Sequence, residues 1–210
     1  KTFSSNYSGR DNEYINSIAR GDLNAILLDE AEKHENVNIH FNKKCENIDL
    51  ENNIAYLEDY KTKETFSIKA DVIFGGDGAG SSLRKSYVSE RKFLFSYSQN
   101  YLNIGYKELE IPAGKSGNHQ ISKGHLHIWP RGDFMLIALP NEDGSFTCTL
   151  FMPFKEGNYS FENMKTDEQV IAFFKEVFPD FYELMPDLIQ NWNMHPLSAL
   201  AIIRCFPWSY

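Results

Sequence analysis

The first stretch that could do chemistry spans residues 70–86 and reads ADVIFGGDGAGSSLRKS. An apolar run at residues 72–74 meets four glycines within six residues, and two serines and an arginine follow. This order predicts a strand, a tight turn and the start of a helix. Such a unit is a common way to present backbone N–H groups to a phosphate.

Three interpretations of this turn are open. A dinucleotide fingerprint of the GxGxxG kind fits poorly, because Ser81 stands where the third glycine belongs and Asp77 would face a pyrophosphate. Alternatively, Asp77 only caps a helix and the glycines supply positive φ angles. The third interpretation accounts for the aspartate, the serine and the arginine together, since Asp77-Gly78-x-x-Ser81-x-x-Arg84 resembles the second FAD motif of the flavoprotein aromatic hydroxylases.

Further stretches carry the same resemblance. They are ARGDLNAILLDEAEKHENVNIHFN at residues 19–42, YSQNYLNIGYKELEIP at 97–112 and HLHIWPRGDFMLIALPNEDGSFTCTLFMPF at 125–154. Over nearly its whole length the chain resembles the flavoprotein aromatic hydroxylases, and within them most closely those that act on L-kynurenine.

The resemblance implies a reaction in which NADPH reduces FAD and O2 then forms a flavin C4a-hydroperoxide. That species hydroxylates kynurenine to 3-hydroxykynurenine. The cofactor carries the hard chemistry, and the protein positions the substrate and excludes water. The resemblance therefore implies no catalytic side chain of the chain's own.

The resemblance also assigns cofactor contacts. Arg20 matches an arginine that contacts FAD at a helix N-terminus; the alternative is a surface arginine. A cation at this end of a helix is unfavourable without an anionic partner, which favours the cofactor role. Cys45 and Ser82 match positions that touch the flavin, and Asp77 is expected beside its ribityl or pyrophosphate groups.

Tyr7 matches a tyrosine whose hydroxyl binds the substrate carboxylate in this family. The match needs a shift of one residue, and Tyr14 is close by, although Tyr14 is expected to begin a strand. The arginine that partners this tyrosine is expected before Lys1.

Six apolar residues are implied to line the substrate pocket. Side chains alternate along a strand, so the strands that carry them offer one set to each side of the sheet. Alternation by itself does not choose between the sides. On the pocket side the resemblance places six residues: Leu126, Ile128, Met135, Ile137, Leu139 and Phe151. The residues on the other side are expected to pack against a helix that begins near Thr166; they are Phe134, Leu136, Cys148, Leu150 and Met152.

His125 and His127 stand two residues apart on one predicted strand. A metal site needs further ligands at suitable positions, and no third ligand is evident. A packed histidine pair is the better interpretation, and no metal is expected.

The composition argues against several classes of function. The net charge of −8 disfavours nucleic acid as a partner, because phosphate backbones select for clustered Lys and Arg. Three cysteines without paired spacing indicate a reducing compartment and neither a disulfide framework nor a structural zinc site. No apolar run approaches the ~18 residues of a membrane span, and no signal peptide is visible.

Hydropathy patterning predicts a mixed first part. A helix is expected over residues 20–34, with apolar positions at Leu23, Ile26, Leu27 and Ala31. Strands are expected at residues 37–41, 45–50, 54–58 and 65–75, with a turn at residues 52–53.

The second part is expected to be an antiparallel sheet with a helix. Aromatic strands are predicted at residues 96–111, 125–130, 134–140 and 145–154, separated by turns at 131–133 and 141–144. A helix capped by Thr166 or Asp167 should break near Pro179, and a short helical stretch should reach Trp192. A last strand is expected at residues 200–205. Since residues 134–139 are apolar on both faces, both faces of this sheet are expected to be covered.

The resulting fold class is mixed α/β. The resemblance divides the chain into part of a Rossmann-like FAD-binding domain with the Asp-Gly turn at residues 1–92 and an antiparallel substrate domain at 93–194. A strand at 195–210 returns toward the first domain. This arrangement is that of the p-hydroxybenzoate hydroxylase type.

The chain is expected to be the central part of such an enzyme. A GxGxxG unit is expected before Lys1, and a Gly-Asp motif and a C-terminal membrane anchor after Tyr210. The family resemblance implies a location on the cytosolic face of the mitochondrial outer membrane. Without its ends, the fragment is not expected to retain FAD or activity.

Two rival functions remain open. One is another FAD-dependent aromatic hydroxylase with the same turn. The other is a non-catalytic protein on the same fold, such as the GDP-dissociation-inhibitor type, which binds a prenylated partner. A hydroxylase needs an enclosed pocket with a carboxylate handle, whereas a partner-binding protein would expose its apolar patch.

Overall fold

The computed structural model describes residues 2–8, 10 and 13–210. The helices in these residues are α1 (Arg20–Glu32), α2 (Ser82–Ser89), α3 (Asp167–Val177), α4 (Pro179–Tyr182) and α5 (Leu188–Met194). The strands are β1 (Lys43–Asp49), β2 (Ile54–Asp59), β3 (Thr65–Lys69), β4 (Ser96–Ile111), β5 (His127–Arg131), β6 (Phe134–Pro140), β7 (Phe146–Pro153) and β8 (Ser198–Phe206). None of the described helices is long and apolar enough to cross a membrane.

Contacts divide the chain into two units. The first unit comprises Lys1–Glu30 and Leu102–Leu200, and the second comprises Ala31–Tyr101 and Ala201–Tyr210. The functional division at residues 92 and 194 stays a prediction. Each unit is described by itself below.

The strands of the first unit belong to a sheet of order β5-β6-β7-β4-β8, of which this unit contains β5, β6, β7, residues 102–111 of β4 and residues 198–200 of β8. The pairs β5–β6, β6–β7 and β4–β7 are antiparallel. The two predicted hairpin turns are confirmed, and each has a glycine at positive φ: Gly132 at 70° and Gly144 at 90°. Only glycine adopts that conformation without steric cost, so these residues fix where the strands reverse.

The core of this unit lies on one face of the sheet, beneath α3, α4 and α5. Leu136, Cys148 and Leu150 are fully buried and pack in one cluster with Phe173 and Phe174 of α3. The predicted end of α3 near Pro179 is confirmed, because the helix stops at Val177 and α4 starts at the proline. The predicted last short helix is α5, which contains Trp192.

The start of α3 is fixed by a capping box. The Thr166 side chain accepts from the backbone N–H of Gln169, and the Gln169 side chain reaches back to the backbone N–H of Thr166. This reciprocal pair satisfies donors that a helix leaves unpaired at its N-terminus. Of the two predicted caps, Thr166 is therefore the correct one.

The second unit contains the antiparallel sheet β1-β2-β3 and helix α2. Asn53 lies at a φ of 52° between β1 and β2, which confirms the predicted turn. Helix α2 is fastened to β1 through Ser86, whose hydroxyl accepts from the backbone N–H of Ile48 and lies 3.0 Å from Oδ1 of Asn47. The helix that follows the glycine-rich turn is thereby held against β1.

Two strand predictions are wrong. Residues 37–41 alternate but form no strand, and β3 ends at Lys69 instead of running to residue 75. Val72 and Phe74 are exposed, the latter by 90 %. A strand needs a neighbour to accept its hydrogen bonds, and neither segment has one among the described residues. Apolar sequence alone therefore overestimated the strand content.

Helix α1 forms where it was predicted, but none of its residues is buried. Its apolar positions Leu23, Ile26 and Leu27 are all exposed. The periodicity correctly predicted the helix, but the helix has no pronounced apolar face, and its apolar side chains are not covered by the described residues.

We expect Thr166→Ala to accelerate amide hydrogen exchange in the first turn of α3, at Glu168 to Val170, roughly fivefold. Loss of an N-cap side chain costs about 1 kcal/mol, which corresponds to that factor. Exchange measured by mass spectrometry in the folded protein reads this local opening. Thr166→Ser keeps the hydroxyl and serves as the matched control; equal acceleration in both variants would contradict the capping role.

Candidate functional site

The largest candidate site lies within the first unit. It is a half-open cavity of about 870 Å³ between the segment at residues 3–17 and the β5–β6 hairpin with its flanking loops. Tyr7 and Tyr14 line it from the segment, and Leu126, Ile128 and Leu139 line it from the hairpin and the residue before it. A mainly apolar concavity with a few polar groups is typical of small-molecule sites.

The six apolar residues predicted for a pocket are only partly gathered in this cavity. Leu126, Ile128 and Leu139 line it, whereas Met135, Ile137 and Phe151 are not among its lining residues. The register places Ile128 opposite Ile137 and Met135 opposite Phe151. Cross-strand partners share a face, so these residues continue the same apolar surface beyond the cavity.

The opposite face settles which side each residue occupies. Leu136, Cys148, Leu150 and Met152 are fully buried in the helix-covered core, and Phe134 packs against it. Ile128 and Met135 are instead 53 % and 39 % exposed. The predicted division between the two faces is therefore confirmed. The helices cover one face, as expected. The second face is open beside the cavity within the first unit, and its expected cover by another domain or a bound apolar ligand stays a prediction.

The two tyrosines lie on the segment that forms one wall of the cavity. Both side chains are exposed, Tyr7 by 67 %, and both line the cavity. The expectation that Tyr14 begins a strand is wrong, since residues 13–19 form neither helix nor strand. Two tyrosines therefore line this site, and Tyr7 stays the predicted carboxylate ligand.

Several polar groups in this cavity were not predicted from the sequence. Ser17, His119 and Lys123 line it, together with Asn141 and Glu142. Lys123 forms no ion pair with any residue that the structure describes. These side chains come from three separate stretches, so no local motif could have indicated them.

The predicted histidine pair packs together. The ring centroids of His125 and His127 lie 6.1 Å apart, and the two imidazoles bind Ser122 through its hydroxyl and its carbonyl, respectively. Ser122 thus fixes the orientation of both rings. Among the described residues, no three His, Cys, Asp or Glu side chains are grouped to hold a metal ion.

A second candidate region, within the second unit, is the turn before α2. Oδ2 of Asp77 accepts from the backbone N–H groups of Ser82 at 2.6 Å and Leu83 at 3.4 Å. The Ser81 hydroxyl accepts from the N–H of Arg84. The first N–H groups of α2 are therefore bound by the protein's own side chains, which disfavours a pyrophosphate at this helix end.

Three of the four predicted cofactor residues come together at this turn. The Ser82 hydroxyl donates to the backbone carbonyl of Cys45 at 2.7 Å, and Ser82 also donates its N–H to Asp77. A Cβ built on Gly76, Gly78 or Gly80 would meet no atom within 4 Å, so the glycine side of the turn is open. A ribityl chain could approach that backbone closely, and the turn fits such a group.

The ionisation of Asp77 follows from this geometry. Burial alone would raise its pKa, but hydrogen bonds from the Ser81 side chain and from the N–H groups of Ser82 and Leu83 outweigh it. The pKa of Asp77 therefore lies below its ordinary value, and the carboxylate is charged at neutral pH. Burial, followed by the charge of Asp77, raises the pKa of the neighbouring Cys45 thiol.

Arg20, the fourth predicted cofactor residue, belongs to the first unit. It stands in the first turn of α1, and its guanidinium lies 2.6 Å from a carboxylate oxygen of Glu108 on β4. The anionic partner expected for a cation at this helix end is present as a side chain of the protein. The guanidinium stays largely exposed, so it retains donors for a further anion.

Comparison with known proteins identifies the family of the chain. A family model described as an FAD binding domain matches residues 5–199. The chain belongs to this FAD-binding domain family. Its fold is the mixed α/β fold of the flavoprotein aromatic hydroxylases of the p-hydroxybenzoate hydroxylase type, and the predicted fold class is confirmed.

Similar curated proteins include kynurenine 3-monooxygenases from several organisms. Kynurenine 3-monooxygenase of Flavobacterium johnsoniae is 44 % identical over 96 % of this chain and 44 % of its own length. The protein of that name from Dictyostelium discoideum is 46 % identical over 97 % of this chain and 43 % of its own length. The chain thus spans less than half the length of these relatives.

Solved structures support the fold at low sequence identity. Tetracycline destructase Tet(51) matches 91 % of this chain and 48 % of its own, with a TM-score of 0.52 and 18 % identity. Klebsiella pneumoniae HpxO complexed with FAD and uric acid matches 88 % of this chain and 42 % of its own, with a TM-score of 0.56 and 13 % identity. At such identities the match shows the fold alone.

We expect the Asp77 carboxylate to stabilise the first turn of α2 in a pH-dependent way. Its folded pKa lies below the ordinary 3.8, so the stabilisation is present above that value and is lost as the pH falls through the folded pKa. At neutral pH, Asp77→Asn should accelerate amide exchange at Ser82 and Leu83 about fivefold.

The measurement compares the two proteins from about pH 7 down to about pH 3, because the intrinsic exchange rate then cancels at each pH. The difference between them should shrink at the acid end. A ratio that stays constant over this range would show that the charge of Asp77 does not hold the turn.

Proposed function

We propose that this chain, at the full length of its relatives, is an FAD-dependent monooxygenase that consumes NADPH and O2 to hydroxylate L-kynurenine at ring position 3. The chain extended to that length is called the full-length protein. The observation that carries the proposal is the cavity of the first unit, whose apolar wall and phenol hydroxyls suit an aromatic amino acid. The names of the relatives at 44–46 % identity support the same substrate.

The cavity offers different partners to the two ends of kynurenine. Leu126, Ile128 and Leu139 provide an apolar surface for the aromatic ring. Tyr7 donates to the carboxylate, with Tyr14 as the alternative donor, and Lys123 adds a positive charge at the same cavity. Met135, Ile137 and Phe151 continue the apolar surface on which the ring is bound.

The second region would hold the cofactor. The open glycine side of the turn takes the ribityl chain, and the Asp77 carboxylate has acceptor capacity left for a ribityl hydroxyl. Ser82 and the Cys45 backbone border the same turn. The cofactor contact of Arg20, which belongs to the first unit, stays a prediction from the family resemblance. FAD, once reduced by NADPH, supplies the oxygen-activating chemistry.

The rival functions are less well supported. A different aromatic substrate on the same fold would leave the names of the closely similar relatives unexplained. A non-catalytic partner-binding protein would suit the exposed Ile128 and Met135, but it would not need a concave site with two tyrosine hydroxyls and a lysine. The mitochondrial outer-membrane location and the membrane anchor stay predictions from the family resemblance.

The decisive experiment uses the full-length protein. We expect it to purify with a yellow flavin spectrum that L-kynurenine perturbs, and to form 3-hydroxykynurenine in proportion to NADPH oxidised. Product identity is read by mass spectrometry, with tetracycline and uric acid as alternative substrates. Bound flavin without turnover of kynurenine would overturn the substrate assignment and leave the family assignment standing.

We expect Tyr7→Phe to weaken kynurenine binding roughly ten- to hundredfold, since a hydrogen bond to a charged group contributes about 1.5–3 kcal/mol. The dissociation constant is measured by titrating the flavin spectrum. Tyr14→Phe is the matched comparison, because it removes the other phenol hydroxyl of the same cavity. If Tyr14→Phe shows the loss and Tyr7→Phe does not, the carboxylate role moves to Tyr14.

A further inference from the structure

One wall of the cavity has no regular structure of its own. The described part of residues 2–19 contains no helix or strand, yet it contributes Phe3, Tyr7 and Tyr14 to the lining. A segment without backbone ladders is held only by its side-chain contacts and its few hydrogen bonds. What fixes this segment therefore fixes the two tyrosines.

A single hydrogen bond ties this segment to the sheet. The Ser17 hydroxyl donates to the backbone carbonyl of Pro140, at the end of β6, over a distance of 2.6 Å. Both residues are partly buried and both line the cavity. Among the residues that the structure describes, no other hydrogen bond joins residues 2–19 to the five-stranded sheet.

The Pro140 carbonyl is available because β5 begins only at His127 and does not extend alongside the end of β6. The β5–β6 ladder stops at the pair His127–Ala138, so the β5 side of β6 has no strand partner beyond Ala138. The N–H of Asn141 donates to Ser145, toward β7. Adjacent residues of a strand direct their backbone groups to opposite edges, so the Pro140 carbonyl faces the vacant β5 side, where Ser17 binds it.

We infer that Ser17 is a positioning residue for substrate binding: its hydrogen bond to Pro140 holds the tyrosine-bearing segment over the apolar face of β5 and β6. Ser17 acts through that segment and need not touch the substrate. The inference rests on the proposed function for the identity of the substrate. The tether itself follows from the structure alone.

The experiment compares Ser17→Ala with Ser17→Thr in the full-length protein. Ser17→Ala should accelerate chymotrypsin cleavage after Tyr7 and Tyr14, read by mass spectrometry of the released peptides, because a released segment reaches a protease more readily. It should also raise the KM for kynurenine about fivefold, with kcat, the KM for NADPH and the FAD content near wild type. Ser17→Thr keeps the hydroxyl and should restore both the cleavage rate and KM. Ser8→Ala is the matched control, since the Ser8 hydroxyl bonds only to Arg10 within the same segment and Ser8 does not line the cavity.

The outcomes separate the tether from the proposed function. Unchanged cleavage in Ser17→Ala overturns the tether, whatever the substrate. Faster cleavage with an unchanged KM overturns its role in binding, as does an equal effect in Ser17→Thr or Ser8→Ala. If the wild-type protein does not turn over kynurenine, the proposed function fails, and binding of the true substrate replaces KM as the readout while the cleavage result still stands.

Discussion

The burial of one face of β6 and β7 beneath α3 is the constraint on which the candidate substrate site depends. Leu136, Leu150 and Met152 are withdrawn completely from water, and their packing with Phe174 stabilises the first unit through the hydrophobic effect. Because side chains alternate along a strand, this burial forces Ile137 and Phe151 to the other side. The apolar surface of the cavity is thus a consequence of the core.

A slip of one residue in this sheet would exchange the two sets of side chains. The hairpin turns prevent such a slip, because Gly132 and Gly144 adopt positive φ angles that fix the positions at which the strands reverse. The Cβ of any residue placed at Gly144 would also collide with the backbone carbonyl of Gly117. Turn geometry and core packing therefore specify the same register.

The two candidate regions differ in whether their polar groups are already bound within the protein. At the turn before α2, Asp77 and Ser81 bind the N–H groups of the helix, so a ligand meets open glycine backbone and a charged carboxylate. In the cavity, Tyr7, Tyr14 and Lys123 line the same concave surface as the apolar side chains. The first arrangement is suited to a hydroxylated chain, and the second to a ring that carries a carboxylate. The solved structures that share this fold include a tetracycline destructase and a protein complexed with uric acid, so the fold itself leaves the substrate open.

Local sequence patterns were enough to predict most of the helices and turns. Helical periodicity found α1 and α3, the hairpin glycines marked the turns, and the cap of α3 was narrowed to Thr166 or Asp167, because these features depend on residues near one another in the chain. Residues 72–74 were misassigned because strand formation depends on a distant partner. The alternation of side chains could not show which face of β6 is covered by the helices. The family resemblance predicted that face, and the burial of Leu136 against α3 confirms the prediction. The hydrogen bond of Ser17 to Pro140, and the place of Lys123 in the same cavity as the two tyrosines, were visible in the tertiary structure and not in the sequence. Each brings together residues more than a hundred positions apart, which no periodic pattern records.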